Sequence, residues 1–184
     1  MYKKIFTIAI LAFATSSYAQ VIIGNATGTA SNKTSVLLEF ANTNDRGIIV
    51  PYVRSLPTGT ALVGGAIILD ARTPTAARMR FYAGTDGWKD LNNSANDADV
   101  STALAKQPTG ITEATNANAV IGDLPATADG ALVLESTTKA LVLPQVDDTD
   151  RIINPAAGML VYINKTGAKR LAVFNGKKWT YFKP

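Results

Sequence analysis

The feature that most constrains the fold of this chain is an internal repeat. Six landmarks in the first half recur in the second half in the same order, at offsets that fall steadily from 98 to 91 residues. Each change in offset lies between apolar runs, where a loop tolerates the gain or loss of residues. The repeat predicts two copies of one unit of roughly 65 to 70 residues, in residues 20–92 and 119–184. The matched landmarks are Ile23-Gly24 with Ile121-Gly122, Leu38-Glu39 with Leu134-Glu135, Pro51 and Val53 with Pro144 and Val146, Gly65 with Gly158, Gly84 with Gly176, and Trp88 with Trp179.

Both copies consist of short apolar runs separated by turn-forming residues. Examples are SVLLEF at 35–40, GAIIL at 65–69, ALVLE at 131–135 and GMLVYI at 158–163. Short runs rich in β-branched and aromatic residues indicate strands rather than helices. The only plausible helix, at 97–106, carries too few apolar residues to dock firmly. We therefore predict an all-β fold, sandwich-like or fibre-like, whose sheet edges another chain could complete.

A polar segment separates the two copies. Residues 93–118 are dominated by Asn, Ala, Thr and Asp, and Val100, Leu104 and Ile111 are their only large aliphatic residues. This composition buries too little apolar surface to form a core. We expect a polar linker, or a loosely attached excursion, between two separate lobes.

The first 19 residues have the plan of a secretory signal peptide. Lys3 and Lys4 precede an apolar stretch at 5–13, and small residues end the segment at Ala19. An apolar stretch of about 10 residues is too short to span a bilayer, which takes about 20. We expect an exported mature chain that begins at Gln20 and has no transmembrane segment.

The composition excludes several kinds of chemistry. The chain has no cysteine and no histidine, which removes thiol catalysis, Ser-His-Asp triads and ordinary zinc sites. Without Lys3 and Lys4 the formal charge falls from +4 to +2, that is, 16 basic minus 14 acidic residues. Charge therefore gives no support for a nucleic-acid partner. An exported chain without disulfides takes its stability from core burial, sheet closure or association with other chains. We expect no enzyme activity and no cofactor.

A proline interrupts an apolar run at the same place in each copy. RGIIVPYV at 46–53 contains Pro51, and KALVLPQV at 139–146 contains Pro144. Because proline cannot donate a ladder hydrogen bond, it belongs on an edge strand, at a bulge or at a strand end. Two interpretations stay open. The prolines end a buried strand and steer the chain across the sheet, or they shape an edge that pairs with another subunit.

Two groups of side chains are weak candidates for ligand binding. Asp147, Asp148 and Asp150 could offer oxygen ligands to Ca²⁺, but the first copy has no counterpart, and a solvated turn explains them as well. Trp88 and Trp179 could form a sugar-stacking platform. Packing of each tryptophan onto its own hairpin explains the same repeat.

Glu39 and Glu135 occupy matching strand positions. Paired carboxylates hydrolyse glycosides without histidine, but residues in separate lobes make poor catalytic partners. We expect surface ion pairs with Arg or Lys instead.

The second copy resembles a repeat found in secreted proteins of the Bacteroidota. The resemblance rests on VIGD at 120–123, LVLESTTKALVLPQV at 132–146, NPAAGMLVYIN at 154–164 and FNGKKW at 174–179. The first copy departs from the repeat, since LEFANTNDRGIIVP at 38–51 has three extra residues in its turn. The resemblance implies a cell-surface or fibre-like role in a Gram-negative bacterium and no catalytic residues.

These observations favour a structural role. A chain with exposed strand edges gains stability when association buries further aliphatic side chains, each worth roughly 1.5 to 3 kcal/mol. We predict a non-catalytic subunit of an extracellular filament, pilus-like structure or fibre, which associates with itself or with other subunits. Val21, Ile22 and Ile23 could add a strand to a neighbour or form the first strand of their own unit. The alternative is a carbohydrate-binding or adhesin module that presents Trp88 and Trp179 to a glycan.

Overall fold

The computed structural model describes most of the chain beyond its N-terminal segment. The expected signal peptide, residues 1–19, lies outside the described residues. Among the residues that are described, no helix is long and apolar enough to cross a membrane. The described residues are 20–24, 27–41, 45–60, 62–92, 97–110, 118–122, 128 and 130–182.

Short strands make up nearly all of the regular structure, and the prediction of an all-β fold is confirmed. The described part of the chain has one α-helix, α1, which spans the four residues Ser101–Leu104. The strands in chain order are β1 Val21–Ile23, β2 Val36–Phe40, β3 Ile48–Ile49, β4 Tyr52–Val53, β5 Ile67–Asp70, β6 Arg78–Tyr82, β7 Trp88–Asp90, β8 Ala119–Gly122, β9 Leu132–Glu135, β10 Ala140–Val142, β11 Gln145–Val146, β12 Met159–Ile163, β13 Arg170–Phe174 and β14 Trp179–Phe182.

The two sequence copies contain the same four-stranded arrangement. The strand order is β4-β5-β6-β7 in the first copy and β11-β12-β13-β14 in the second. In both, the first pair is parallel and the two later pairs are antiparallel. The backbone N–H of Leu69 donates to the Pro51 carbonyl at 2.9 Å, and that of Tyr162 donates to the Pro144 carbonyl at 2.9 Å. The repeat in the sequence thus corresponds to a repeated set of strand pairs.

The two copies also exchange strands. β3 of the first copy pairs antiparallel with β12 of the second, with Ile48 opposite Leu160. β10 of the second copy pairs parallel with β2 of the first, with Leu141 opposite Leu38. Each copy supplies a strand to a sheet of the other, so the copies are interlocked and do not form the two separate lobes that the sequence led us to expect.

Each repeated proline lies where the chain crosses from one sheet to another. Pro51 separates β3, which pairs with the second copy, from β4, which pairs within the first. Pro144 separates β10 from β11 in the same way. The proline nitrogen cannot donate, but each carbonyl accepts the ladder bond that starts the next strand pair. Pro144 is buried, whereas Pro51 is exposed.

The main hydrophobic core draws on both copies and on the segment between them. Leu69 and Met79 of the first copy share one cluster with Leu160 and Val173 of the second. The Tyr52 hydroxyl also donates to the Ala157 carbonyl at 2.7 Å, which joins the copies by a polar contact. The buried members of the cluster are Val50, Leu69, Ala71, Ala77, Met79, Ala98, Val100, Leu104, Ala157, Leu160 and Val173.

The segment 97–110 docks firmly, and the expectation of a loosely attached polar linker is wrong for it. Ala98 exchanges two backbone hydrogen bonds with Ala77, at 2.9 and 3.2 Å. Val100 is 4% exposed and Leu104 only 2%. The Arg54 guanidinium donates to the Leu104 carbonyl at 2.7 Å. A few apolar residues are sufficient here because the strands of both copies supply the rest of the core.

Replacing Leu104 with alanine should destabilise the protein by about 2 to 5 kcal/mol, because it leaves a cavity in the shared core. The exposed neighbour Thr102 provides a control in the same helix, and Thr102→Ala should change stability by no more than about 0.5 kcal/mol. Denaturant unfolding at one fixed protein concentration, followed by tryptophan fluorescence, measures both. Equal effects of the two substitutions would show that the segment is not part of the core.

Candidate assembly surface

Glu39 is the most deeply buried charged side chain among the described residues, with no exposed surface. Its Oε2 accepts hydrogen bonds from the backbone N–H groups of Thr29 and Ala30, both at 2.9 Å. Its Oε1 accepts from the Lys33 ammonium and from the Gln20 side-chain amide. The expectation of a surface carboxylate is therefore wrong for Glu39. The residue fastens the loop that precedes β2 to that strand.

The surroundings of Glu39 favour its ionised form. Burial alone raises the pKa of this carboxyl, but the hydrogen bonds from Lys33, Ala30 and Thr29 and the Lys33 charge together hold the pKa below its ordinary value. Gly28 has a φ of +63°, and a Cβ at that position would collide with the Glu39 carboxyl group. Only glycine fits where the loop passes this carboxylate.

A ladder of alternating charges crosses β5, β6 and β7 in the first copy. Burial raises the pKa of Asp70, but hydrogen bonds from Arg72 and the charges of Arg72 and Arg80 hold it below its ordinary value. The ladder also reaches Asp97, so it ties the docked segment to the sheet. Its ion pairs are Arg72–Asp70 at 2.9 Å, Arg80–Asp70 at 3.1 Å, Arg80–Asp90 at 2.8 Å, Arg78–Asp90 at 3.3 Å and Arg78–Asp97 at 2.7 Å.

The acidic run after Pro144 forms a capped turn. Asp147 pairs with Arg151 at 3.0 Å, and the Asp148 side chain accepts from the backbone N–H of Asp150 at 3.2 Å. Within the described part of the chain, no three acidic side chains lie close enough together to hold a metal ion. These contacts are those of a solvated turn, and calcium binding by Asp147, Asp148 and Asp150 stays a prediction.

Each repeated tryptophan packs on an aromatic ring of its own hairpin. The Tyr82 and Trp88 ring centroids lie 5.3 Å apart with planes at 53°. Those of Phe174 and Trp179 lie 5.1 Å apart at 44°. This tilted geometry is typical of stabilising aromatic pairs, so hairpin packing explains why both tryptophans recur. The glycan-binding role of Trp88 and Trp179 stays a prediction.

Exposed apolar side chains are concentrated on strands that have incomplete pairing. β1 pairs parallel with β2 of its own copy, and its Val21 and Ile23 are exposed, with Ile22 between them less so. Single exposed apolar residues are ordinary on a protein surface, but a series on strand edges is typical of a surface that pairs with another chain. The large apolar residues that are exposed are Val21, Ile23, Ile49, Val63, Ile67, Leu132, Leu141, Ile153, Tyr181 and Phe182.

Half of these exposed residues lie in a region that matches a protein family. Residues 110–184 match the family model of the phage tail like trimerisation region. The match covers less than half of the chain and includes the second copy from β8 to β14. Comparison with curated proteins and with solved structures gave no match. The family match supports self-association and a structural role for this chain.

Substituting Glu39 with glutamine should destabilise the protein at neutral pH by about 2 kcal/mol, because charged hydrogen bonds to the loop are lost. The folded state lowers the pKa of Glu39, so its stabilising contribution is present above the ordinary carboxyl pKa of about 4 and is lost as the pH falls through the lowered value. The difference between the variant and the natural chain should therefore shrink under acid conditions. Denaturant midpoints measured across the pH range test this.

The exposed carboxylate Asp86 supplies a control for this experiment. Asp86→Asn removes a negative charge at a surface turn and should change stability at neutral pH by no more than about 0.5 kcal/mol. A Glu39→Gln penalty that stayed constant from neutral to acid pH would contradict a role for the ionised carboxylate.

Proposed function

We propose that this chain is a non-catalytic structural subunit that forms a trimer and takes part in an extracellular surface fibre of a Gram-negative bacterium. The match of residues 110–184 to the phage tail like trimerisation region carries the proposal. The all-β fold with its exposed strand edges is the kind of structure from which fibres are built.

The surface of the matched region supports self-association. Leu132, Leu141, Ile153, Tyr181 and Phe182 are exposed apolar residues that all lie within it. The buried core of an interface between subunits is more apolar than the rest of the protein surface and is enriched in aromatic residues. The chain has no cysteine, so no disulfide stabilises the fold. Burial of apolar surface between associated chains is a further source of stability.

The extracellular location rests on the sequence. The N-terminal 19 residues have the plan of a signal peptide, and the second copy resembles repeats of secreted Bacteroidota proteins. A subunit that assembles outside the cell requires such a route.

The mature chain, residues 20–184, should have three times its monomer mass in solution. Light scattering coupled to gel filtration measures this mass over a range of concentrations, and electron microscopy of the same sample and of producing cells shows whether the trimers join into fibres. A mass equal to one chain at every concentration would overturn the trimer.

Export should remove the first 19 residues and leave Gln20 as the N-terminus. The full chain with a C-terminal tag is produced in a Gram-negative host, and the tagged protein from each cell fraction is sequenced from its N-terminus. Leu11→Arg interrupts the apolar stretch and should keep the protein inside the cell with residues 1–19 attached. Cytoplasmic, uncleaved protein from the natural sequence would contradict the extracellular location.

A further inference from the structure

Among the described residues, two positions equivalent to those of the strand exchange have no partner strand. We propose that neighbouring chains occupy these positions. β3 of one chain pairs with β9 of the next chain, and β10 of that next chain pairs with β5 of the first chain. This contact between chains repeats the strand exchange that joins the two sequence copies within one chain. The inference rests on the proposed self-association and specifies the surfaces that carry it.

The first position is the edge of β9 that faces away from β8. Its counterpart in the first copy, β2, lies between β1 and β10, whereas among the described residues β9 pairs with β8 alone. The exposure follows this difference, since Val36 of β2 is 5% exposed and Leu132, at the matching position of β9, is 51% exposed. The pairs β1–β2 and β8–β9 differ in register by two residues, a shift that keeps the same side chains on each face.

The strand that fits the β9 edge is the counterpart of β10, which is β3. β10 carries Leu141 and Val142 to β2, and β3 carries Ile48 and Ile49 at the matching positions. β3 already pairs with β12 through one edge, and a strand has a second edge for another partner. Ile49 is 51% exposed in the single chain.

The second unfilled position is the first half of β5. In the second copy, β3 and β11 share one edge of β12, β3 at Met159 and Leu160 and β11 at Tyr162 and Ile163. In the first copy, β4 takes the part of β5 that corresponds to the β11 site, and within the described residues no strand pairs with β5 where β3 would correspond. Leu160 is 5% exposed, and its counterpart Ile67 is 38% exposed.

The strand that fits this half of β5 is β10, the counterpart of β3. Leu141 matches Ile48 and is 38% exposed, so an apolar residue is available on each side of the contact. The direction of the backbone N–H and C=O groups in β5 favours the pairing as well. Leu69 donates to the Pro51 carbonyl across this edge, so the backbone groups of Ile67, two residues earlier, point the same way.

The proposed contact joins two different surfaces, the second copy of one chain and the first copy of the next. Such head-to-tail contacts form a closed ring when the rotation between subunits closes and an open filament when it does not. The match to a trimerisation region indicates closure at three chains. In that ring, contacts within a chain alternate with equivalent contacts between chains.

Engineered thiols test the pairing of Leu141 with Ile67 of the next chain. The natural chain has no cysteine, so Leu141→Cys and Ile67→Cys introduce the only thiols. Directly opposed residues of antiparallel strands have Cα atoms about 4.5 to 5.5 Å apart, within reach of a disulfide. The double variant of the mature chain should oxidise to a covalently closed trimer, and a mixture of the two single variants should give linked pairs of unlike chains.

The matched control is the double variant Leu141→Cys, Ile153→Cys. Ile153 is 87% exposed, so its thiol is at least as accessible as one at position 67, but it does not lie on the edge of β5. This variant should yield little or no cross-linked trimer. Light scattering before oxidation establishes that each variant still assembles.

The outcomes separate this inference from the proposed function. A trimer whose double variant does not cross-link, or links only within one chain, overturns the strand pairing and leaves the trimer intact. Protein that is monomeric in light scattering overturns both. Hydrogen exchange of the natural trimer adds a measurement without substitutions, because the amides of Ile67 and of 132–134 should be protected in the trimer and exchange faster once dilution releases the monomer. Unchanged exchange in both segments would contradict the pairing.

Discussion

The exchange of β3 and β10 between the two copies is the interaction on which the rest of this structure depends. It gives β12 and β2 each a pairing partner from the other copy, and Leu69 and Leu160 of the two copies belong to one cluster. The shared cluster in turn gives Val100 and Leu104 a place to dock. Two units that each lack a complete core thereby stabilise each other, which a chain without disulfides requires.

The two copies have the same strands but different polar contacts. Glu39, at 0% exposure, fastens a loop to β2, and the arginine and aspartate ladder from Arg72 to Asp97 occurs on the first copy. Removing one partner of a buried charge pair strongly destabilises a protein, because the other charge is left buried without compensation. The buried charges that need their partners therefore lie mainly in the first copy. The second copy carries exposed apolar residues within the region that matches the trimerisation family.

The repeat and the all-β fold could be read from the sequence, because apolar runs between turn residues and ordered landmarks are local signals. Strand partners could not. Ile48 and Leu141 occupy the same kind of run, and nothing in either run shows that each pairs with the opposite copy. The docking of Leu104 could not be predicted, because the count of apolar residues in its own segment says nothing about the core that other segments provide. Glu39 had one local signal, its place within the apolar run SVLLEF, which is typical of a strand buried on both faces.

The exchanged strands are far apart in the chain, and this separation controls when folding can finish. The partners that β2 and β3 find in the second copy lie more than 100 residues later, at Leu141 and Leu160. Pairings between such distant segments form slowly and leave strand edges open in the meantime. During synthesis from the N-terminus, β2 has no β10 to pair with until the second copy has been made. Its Leu37 and Leu38, which are buried in the folded chain, lack that cover in the meantime. The pairs that join the copies therefore cannot form before β10 and β12 have been made.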